Sequence, residues 1–220
     1  MQEIDGRRVR GDASRRVVLA NAVDLASVEG LDGLSIGRLA SAAAVSKSGV
    51  ATLFGTKERL QLATVEAAAQ RFRETVLEPA RLAAPRGLRR IVALLDGWIA
   101  YSRDRVFPGG CFFAAALADF DAKPGPVRDA IAAAYRSWND YLRVALGYAI
   151  DQQELHPDTD AALLAFEFTS LLDGANARSV MSGSSEPYGL ARRAVAARLL
   201  AAGAPERVVR PFVDVDDLAA

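Results

Sequence analysis

The sequence predicts an all-α protein: a small N-terminal three-helix helix-turn-helix unit joined to a larger C-terminal helical bundle, about nine helices in total. Three observations carry this. Apolar residues recur three and four apart, as in Leu88, Ile91, Leu94, Leu95, Trp98 and Ile99, which is the stripe of a half-buried helix. No segment alternates apolar and polar residues as a strand would. The stripes are punctuated by helix-start residues such as Ser14, Ser35, Ser46 and Thr56, and by helix-stop residues such as Gly30.

Composition narrows the class. The 220 residues suffice for a buried core, and 51% hydrophobic with 25% charged residues is ordinary for a soluble chain. Net charge is zero, so any electrostatic work falls to a local patch. Residues 1–60 hold nine Lys/Arg against seven Asp/Glu, and the only lysines are Lys47, Lys57 and Lys123. Cys111 is the single cysteine, which excludes an intrachain disulfide and fits a reducing compartment. With no signal peptide and no apolar run long enough for a bilayer, the expectation is a cytoplasmic protein without a membrane partner. Cys111 and His156 stand apart with no base and orienting group in sight. No Cys/His metal spacing or phosphate-binding glycine loop occurs, so no catalytic site, metal or cofactor is expected.

Taken in order, residues 1–13 are polar, carry Arg7, Arg8 and Arg10, and read as a flexible arm. Ser14 caps a first helix that buries Val18, Ala22, Leu25 and Ala26 and ends at Gly30. Ser35 caps a short second helix with Ile36, Leu39, Ala40 and Ala43 on its inner face. Ser46 caps a third, about 46–53, whose apolar side is Val50 and Phe54. Residues 14–56 form the first domain. Thr56 starts a long helix to about Ala80, with Pro79 near its end.

The second domain runs over 57–202. Pro85 opens the body, and the stripe from Leu88 forms one helix. A turn at Phe107–Gly110 precedes a short apolar helix at Cys111–Phe120. Pro124, Gly125 and Pro126 make another turn. A long helix over Val127 to about Glu154 is broken by His156-Pro157. The next helix, from about Asp158 to Met181, is apolar nearly all round, so it is covered on more than one side. A last helix spans about Tyr188 to Ala202, with Arg192-Arg193 read as a solvated face. Residues 203–220 read as a loose, acidic tail.

The stretch AAVSKSGVATLFGTKERL, residues 43–60, resembles the DNA-binding helix-turn-helix of the TetR family of bacterial transcriptional regulators. The resemblance rests on Val18-Leu19, Ala22, Leu25, Gly30, Ser35, Leu39-Ala40, Val45-Ser46-Lys47, Phe54, Thr56-Lys57-Glu58 and Leu60. It covers about the first quarter of the chain. The Gly-Gly-Cys-Phe-Phe run at 109–113 also resembles a C-terminal subgroup of that family. Two positions depart from the pattern: Ala51 replaces an aromatic and Leu53 replaces His or Tyr.

The resemblance implies a DNA-binding domain that reads a palindromic double-stranded operator. Ser35, Lys47, Ser48, Gly49, Ala51, Thr52 and Lys57 are its DNA-binding residues. A recognition helix puts its first turn at base edges, where Lys47 can meet guanine or phosphate and a bare helix start favours an anion. It further implies a homodimer through the last two long helices. A small apolar or aromatic effector is expected in a pocket of Trp98, Tyr101, Phe112, Phe113, Tyr135, Trp138 and Phe166. The function expected is that of a ligand-responsive repressor. The alternative is a small-molecule-binding protein on the same scaffold, with DNA reading weakened at Ala51 and Leu53.

Overall fold

The computed structural model describes residues 6–213, which form eleven α-helices and one π-helical turn, with no strand among the described residues. The elements are α1 (Gly6–Glu29), α2 (Ile36–Ala42), α3 (Lys47–Phe54), α4 (Lys57–Phe72), the π turn (Arg73–Leu77), α5 (Glu78–Ala83), α6 (Leu88–Arg103), α7 (Phe112–Phe120), α8 (Pro126–Asp151), α9 (Ala161–Ser182), α10 (Glu186–Ala201) and α11 (Glu206–Val213). Backbone angles stay helical from α4 through the π turn into α5. Counted as one rod, these three leave ten helices against the nine expected. Pro79 has no N–H to give the preceding turn, and the π turn widens the ladder just ahead of it.

The chain divides into two units that differ from the expected domains. The first comprises residues up to Arg71 together with Phe107–Ala133; the second comprises Phe72–Val106 and Ala134 onward. In the first unit α1 buries Val18, Ala22, Val23 and Ala26, joined by Leu31, Leu34, Leu39, Val50, Phe54 and Leu60. The stretch 107–133 joins this unit through α7 and through the Gly109 N–H, which donates to Ser27 Oγ at 3.0 Å. Gly30, at φ +83°, ends α1 as expected, and a Cβ there would run into the Asp119 carboxylate.

The second unit is built on α6, α9 and α10, with Leu94, Leu95, Ile99, Leu142, Leu146, Leu164, Phe168, Leu172, Val195 and Leu199 in its core. Asp160 starts α9 by accepting the N–H groups of Ala162 and Leu163, both at 2.9 Å. Gly183, at φ +71°, closes it.

Three expectations are corrected. Helix α1 begins at Gly6, so residues 6–13 of the expected arm are helical and Ser14 lies inside the helix. Once a helix is nucleated, each further residue costs little, so a cap-like serine does not force a start. Residues 1–5 of that arm, like 214–220 of the expected tail, lie outside the described residues. In the tail, α11 buries Val209 and Phe212. Arg192 is not solvated but 2% exposed: its Nη2 lies 2.5 Å from Asp96 Oδ1, and its Nη1 donates to Phe212 O at 3.0 Å. A buried guanidinium requires such partners, and Asp96 with the end of α11 supplies them.

Candidate nucleic-acid interface

Ser46 makes the start of α3. Its Oγ accepts the Gly49 N–H at 3.0 Å and lies 3.1 Å from Ser48 Oγ. Val50 and Phe54 go into the core, one turn apart. Lys47, Ser48, Ala51 and Thr52 are thereby turned outward together, and all four are exposed. Thr52 Oγ1 donates to Ser48 O at 2.8 Å, which leaves its oxygen able to accept as well. Gly37 of α2 leaves room for the Lys47 side chain, whose Cε would lie 3.5 Å from any Cβ added there. The helix start thus offers an ammonium, two hydroxyls and unpaired backbone N–H groups, a set suited to phosphate and to base-edge acceptors.

Two expected contacts are otherwise engaged. Ser35 is exposed but caps α2, accepting the Arg38 N–H at 3.3 Å. Lys57 Nζ donates to Asp32 O at 2.6 Å and Asp32 Oδ1 at 3.3 Å. Lys123 Nζ donates to Asp32 Oδ2 at 2.9 Å, and Asp119 accepts the Asp32 N–H at 3.3 Å. The hydrogen bonds from Lys123 and then Lys57 hold the Asp32 carboxyl below its usual range. Sequence reasoning missed this clamp, because no local signal pairs a turn aspartate with a lysine 91 residues on. It also missed Arg15, whose Nη1 donates to Leu53 O at 3.3 Å and whose guanidinium lies 4.6 Å from the Phe54 ring centre. Thr56 caps α4 as expected, accepting the Arg59 N–H at 3.1 Å.

The expected pocket residues separate. Trp98, Tyr101 and Trp138 gather around Phe72 in the second unit: Phe72 meets Tyr101 at 5.4 Å and Trp138 at 5.3 Å, both edge to face, and Trp98 lies 6.3 Å from Tyr101. Phe72, the last residue of α4, is buried at their centre. Trp138 Nε1 is buried with no acceptor among the described residues. Tyr135 Oη donates to Asp173 Oδ2 at 2.6 Å, and burial pushes the Asp173 carboxyl up. Phe112 and Phe113 belong to the first unit, where Phe112 packs with Phe107 and Phe113 at 5.9 and 5.3 Å. Phe166 is corrected: it stands 67% exposed, while Phe168, two residues on, is fully buried. On an α-helix two residues is more than half a turn, so the two rings face apart.

Among the described residues there is no cluster of three metal-ligating side chains and no helix long and apolar enough to cross a membrane. The family model described as Tetracyclin repressor-like, C-terminal domain matches residues 87–195. A TetR transcriptional regulator from Chloroflexus aurantiacus is 26% identical, with 87% of this chain and 96% of that one covered at a TM-score of 0.79. The TetR-family regulator from Cytophaga hutchinsonii is 19% identical over 96% of this chain and 98% of that one, at 0.73. AibR, solved in complex with isovaleryl coenzyme A and operator DNA, is 23% identical over 73% and 84%, at 0.61. No curated protein matches the chain. From this agreement of helix-turn-helix, body and structural neighbours, the chain belongs to the TetR family of bacterial transcriptional regulators.

Proposed function

We propose that the protein is a cytoplasmic, homodimeric repressor that reads a palindromic operator with α3 and is released by a small hydrophobic effector. The observation that carries DNA reading is the outward set Lys47, Ser48 and Thr52 on a helix whose other side is locked by Val50 and Phe54. One such head reads few bases, and two heads one helical turn apart, roughly 34–36 Å, read a palindrome.

Dimerisation rests on α9 and α10. Leu163, Phe166, Ala177 and Met181 lie along one stripe of α9, with Phe166 and Met181 67% and 87% exposed. Leu190 and Leu200 of α10 are also partly open. An uncovered apolar stripe of this length suits a self-complementary interface about a two-fold axis. Effector binding rests on the rings around Phe72 and on the Trp138 N–H, which a ligand oxygen would satisfy; AibR, similarly folded, is a precedent for a ligand beside DNA. The effector acts only by binding one spacing of the heads better than the other, with the helix from Lys57 as the transmitting element.

A second reading is a small-molecule-binding protein on the same scaffold. Asp32 already occupies Lys57, and Ala51 and Leu53 offer only apolar atoms. A mobility-shift titration against DNA upstream of the protein's own gene separates the two. The first reading requires a specific shift that Lys47→Ala weakens; equal affinity for random DNA would leave the second.

A further inference from the structure

The second unit contains a cleft of about 480 Å³ between the end of α5, the turn into α6 and the C-terminal half of α8. That lies in the range of small-molecule sites, roughly 300–1,000 Å³. Arg81, Arg86 and Arg90 line it, and no Asp or Glu does. Arg90 is fixed in place: its Nε donates to the carbonyls of Ala84 and Pro85 at 3.0 and 3.1 Å, and its Nη1 to Tyr141 Oη at 3.3 Å. It closes the end of α5 and lends the cleft a fixed positive charge.

Arg81 and Arg86 are different. Both are exposed, and neither has a carboxylate partner among the described residues. Arg86 lies over the Tyr148 ring, 5.7 Å from its centre, which holds the guanidinium at the mouth. The nearby carboxylate, Glu154, accepts the Leu88 N–H at 2.7 Å and packs on Gly87, so it serves the start of α6. The floor is one face of α8, where Val144 is 62% exposed beside Ala145, between Tyr141 and Tyr148.

Two unpaired guanidiniums over an open apolar floor suit neither a bare inorganic ion nor a neutral hydrophobe. Guanidinium forks match the paired oxygens of carboxylate or phosphate, and an exposed valine gains from being covered. We propose that this cleft binds a small amphiphilic organic anion, its carboxylate or phosphate head on Arg81 and Arg86 and its hydrocarbon body on Val144 and Ala145. The proposal does not depend on DNA reading.

Calorimetric titration of the full chain tests it, with octanoate and octyl phosphate as probes and inorganic phosphate and 1-octanol as controls. At least one amphiphile binds tenfold or more tighter than both controls, and the tighter one tells carboxylate from phosphate. Arg81→Ala/Arg86→Ala and, separately, Val144→Glu each weaken it at least tenfold with the thermal transition unmoved. If the double variant fails to fold, Val144→Glu alone decides. Amphiphiles no tighter than the controls, unchanged affinity in the variants, or binding seen only to phosphatidylglycerol vesicles overturns the proposal.

Discussion

Helices α3 and α9 are each covered on one side and bare on the other within the single chain. The bare side of α3 carries Lys47, Ser48, Ala51 and Thr52; that of α9 carries Leu163, Phe166 and Met181. Water solvates the first set, so α3, anchored by Val50 and Phe54, needs no cover on its outward side. The second set is stabilised only when apolar surface covers it, at about 25 cal/mol per Å². Both helices are half-covered, but the chemistry of the bare side differs, and on the proposed reading it selects the partner: a phosphate backbone for one, a second copy of the chain for the other.

Several substitutions would break or sharpen that contrast. The largest effect lies within α9 itself. Phe168→Ala empties a fully buried site and should cost about 3–5 kcal/mol in denaturant unfolding. Phe166→Ala, measured on dilute monomer, should cost under ~0.5 kcal/mol, since its ring is open there. Equal losses would erase the distinction between the two faces. Next, Phe166→Glu should leave monomer folding intact but raise the dimer dissociation constant a hundredfold or more, about 3 kcal/mol, seen as monomer by sedimentation at micromolar concentration.

On α3 the effects are smaller. Lys47→Ala should weaken operator binding by about 1–3 kcal/mol with the melting temperature unchanged, and lower the salt slope by about one if the contact is to phosphate. Ser46→Ala removes the cap on Gly49 N–H and should cost about 1 kcal/mol of stability.

The smallest expected effect is a pH dependence from Asp173. Its folded pKa is raised by burial, with the Tyr135 hydrogen bond opposing. In the window between the unfolded value, about 3.9, and the raised folded value, the folded state holds the extra proton, so stability falls as pH rises. Asp173→Asn should flatten that segment of the stability–pH curve; an unchanged slope would remove Asp173 as its source.

What was legible in the sequence was local. Ser35, Ser46 and Thr56 cap helices as expected because a cap is a matter of three residues. The periodic stripes fixed most of the core because burial on one face needs only that face. What failed depended on distant partners. The Arg192 pair with Asp96, the Asp32 clamp on Lys57 and Lys123, and α11 folded over Val209 and Phe212 leave no mark at short range. The all-round apolarity of α9 predicts cover on more than one side, whereas in the single chain one face, with Phe166 and Met181, is open. Which aromatic lies on that face was not legible, since Phe166 and Phe168 are indistinguishable until the phase of the helix is known.

The most direct test combines the two faces. Operator binding by wild type, Phe166→Glu and Lys47→Ala would be followed at one salt concentration, with the mass of each complex measured by sedimentation. The account predicts two wild-type chains per operator, a dimer that binds about 10- to 100-fold more weakly for Lys47→Ala, and a folded monomer with at least tenfold weaker binding for Phe166→Glu. A monomeric Phe166→Glu that grips the operator as tightly as wild type would contradict it.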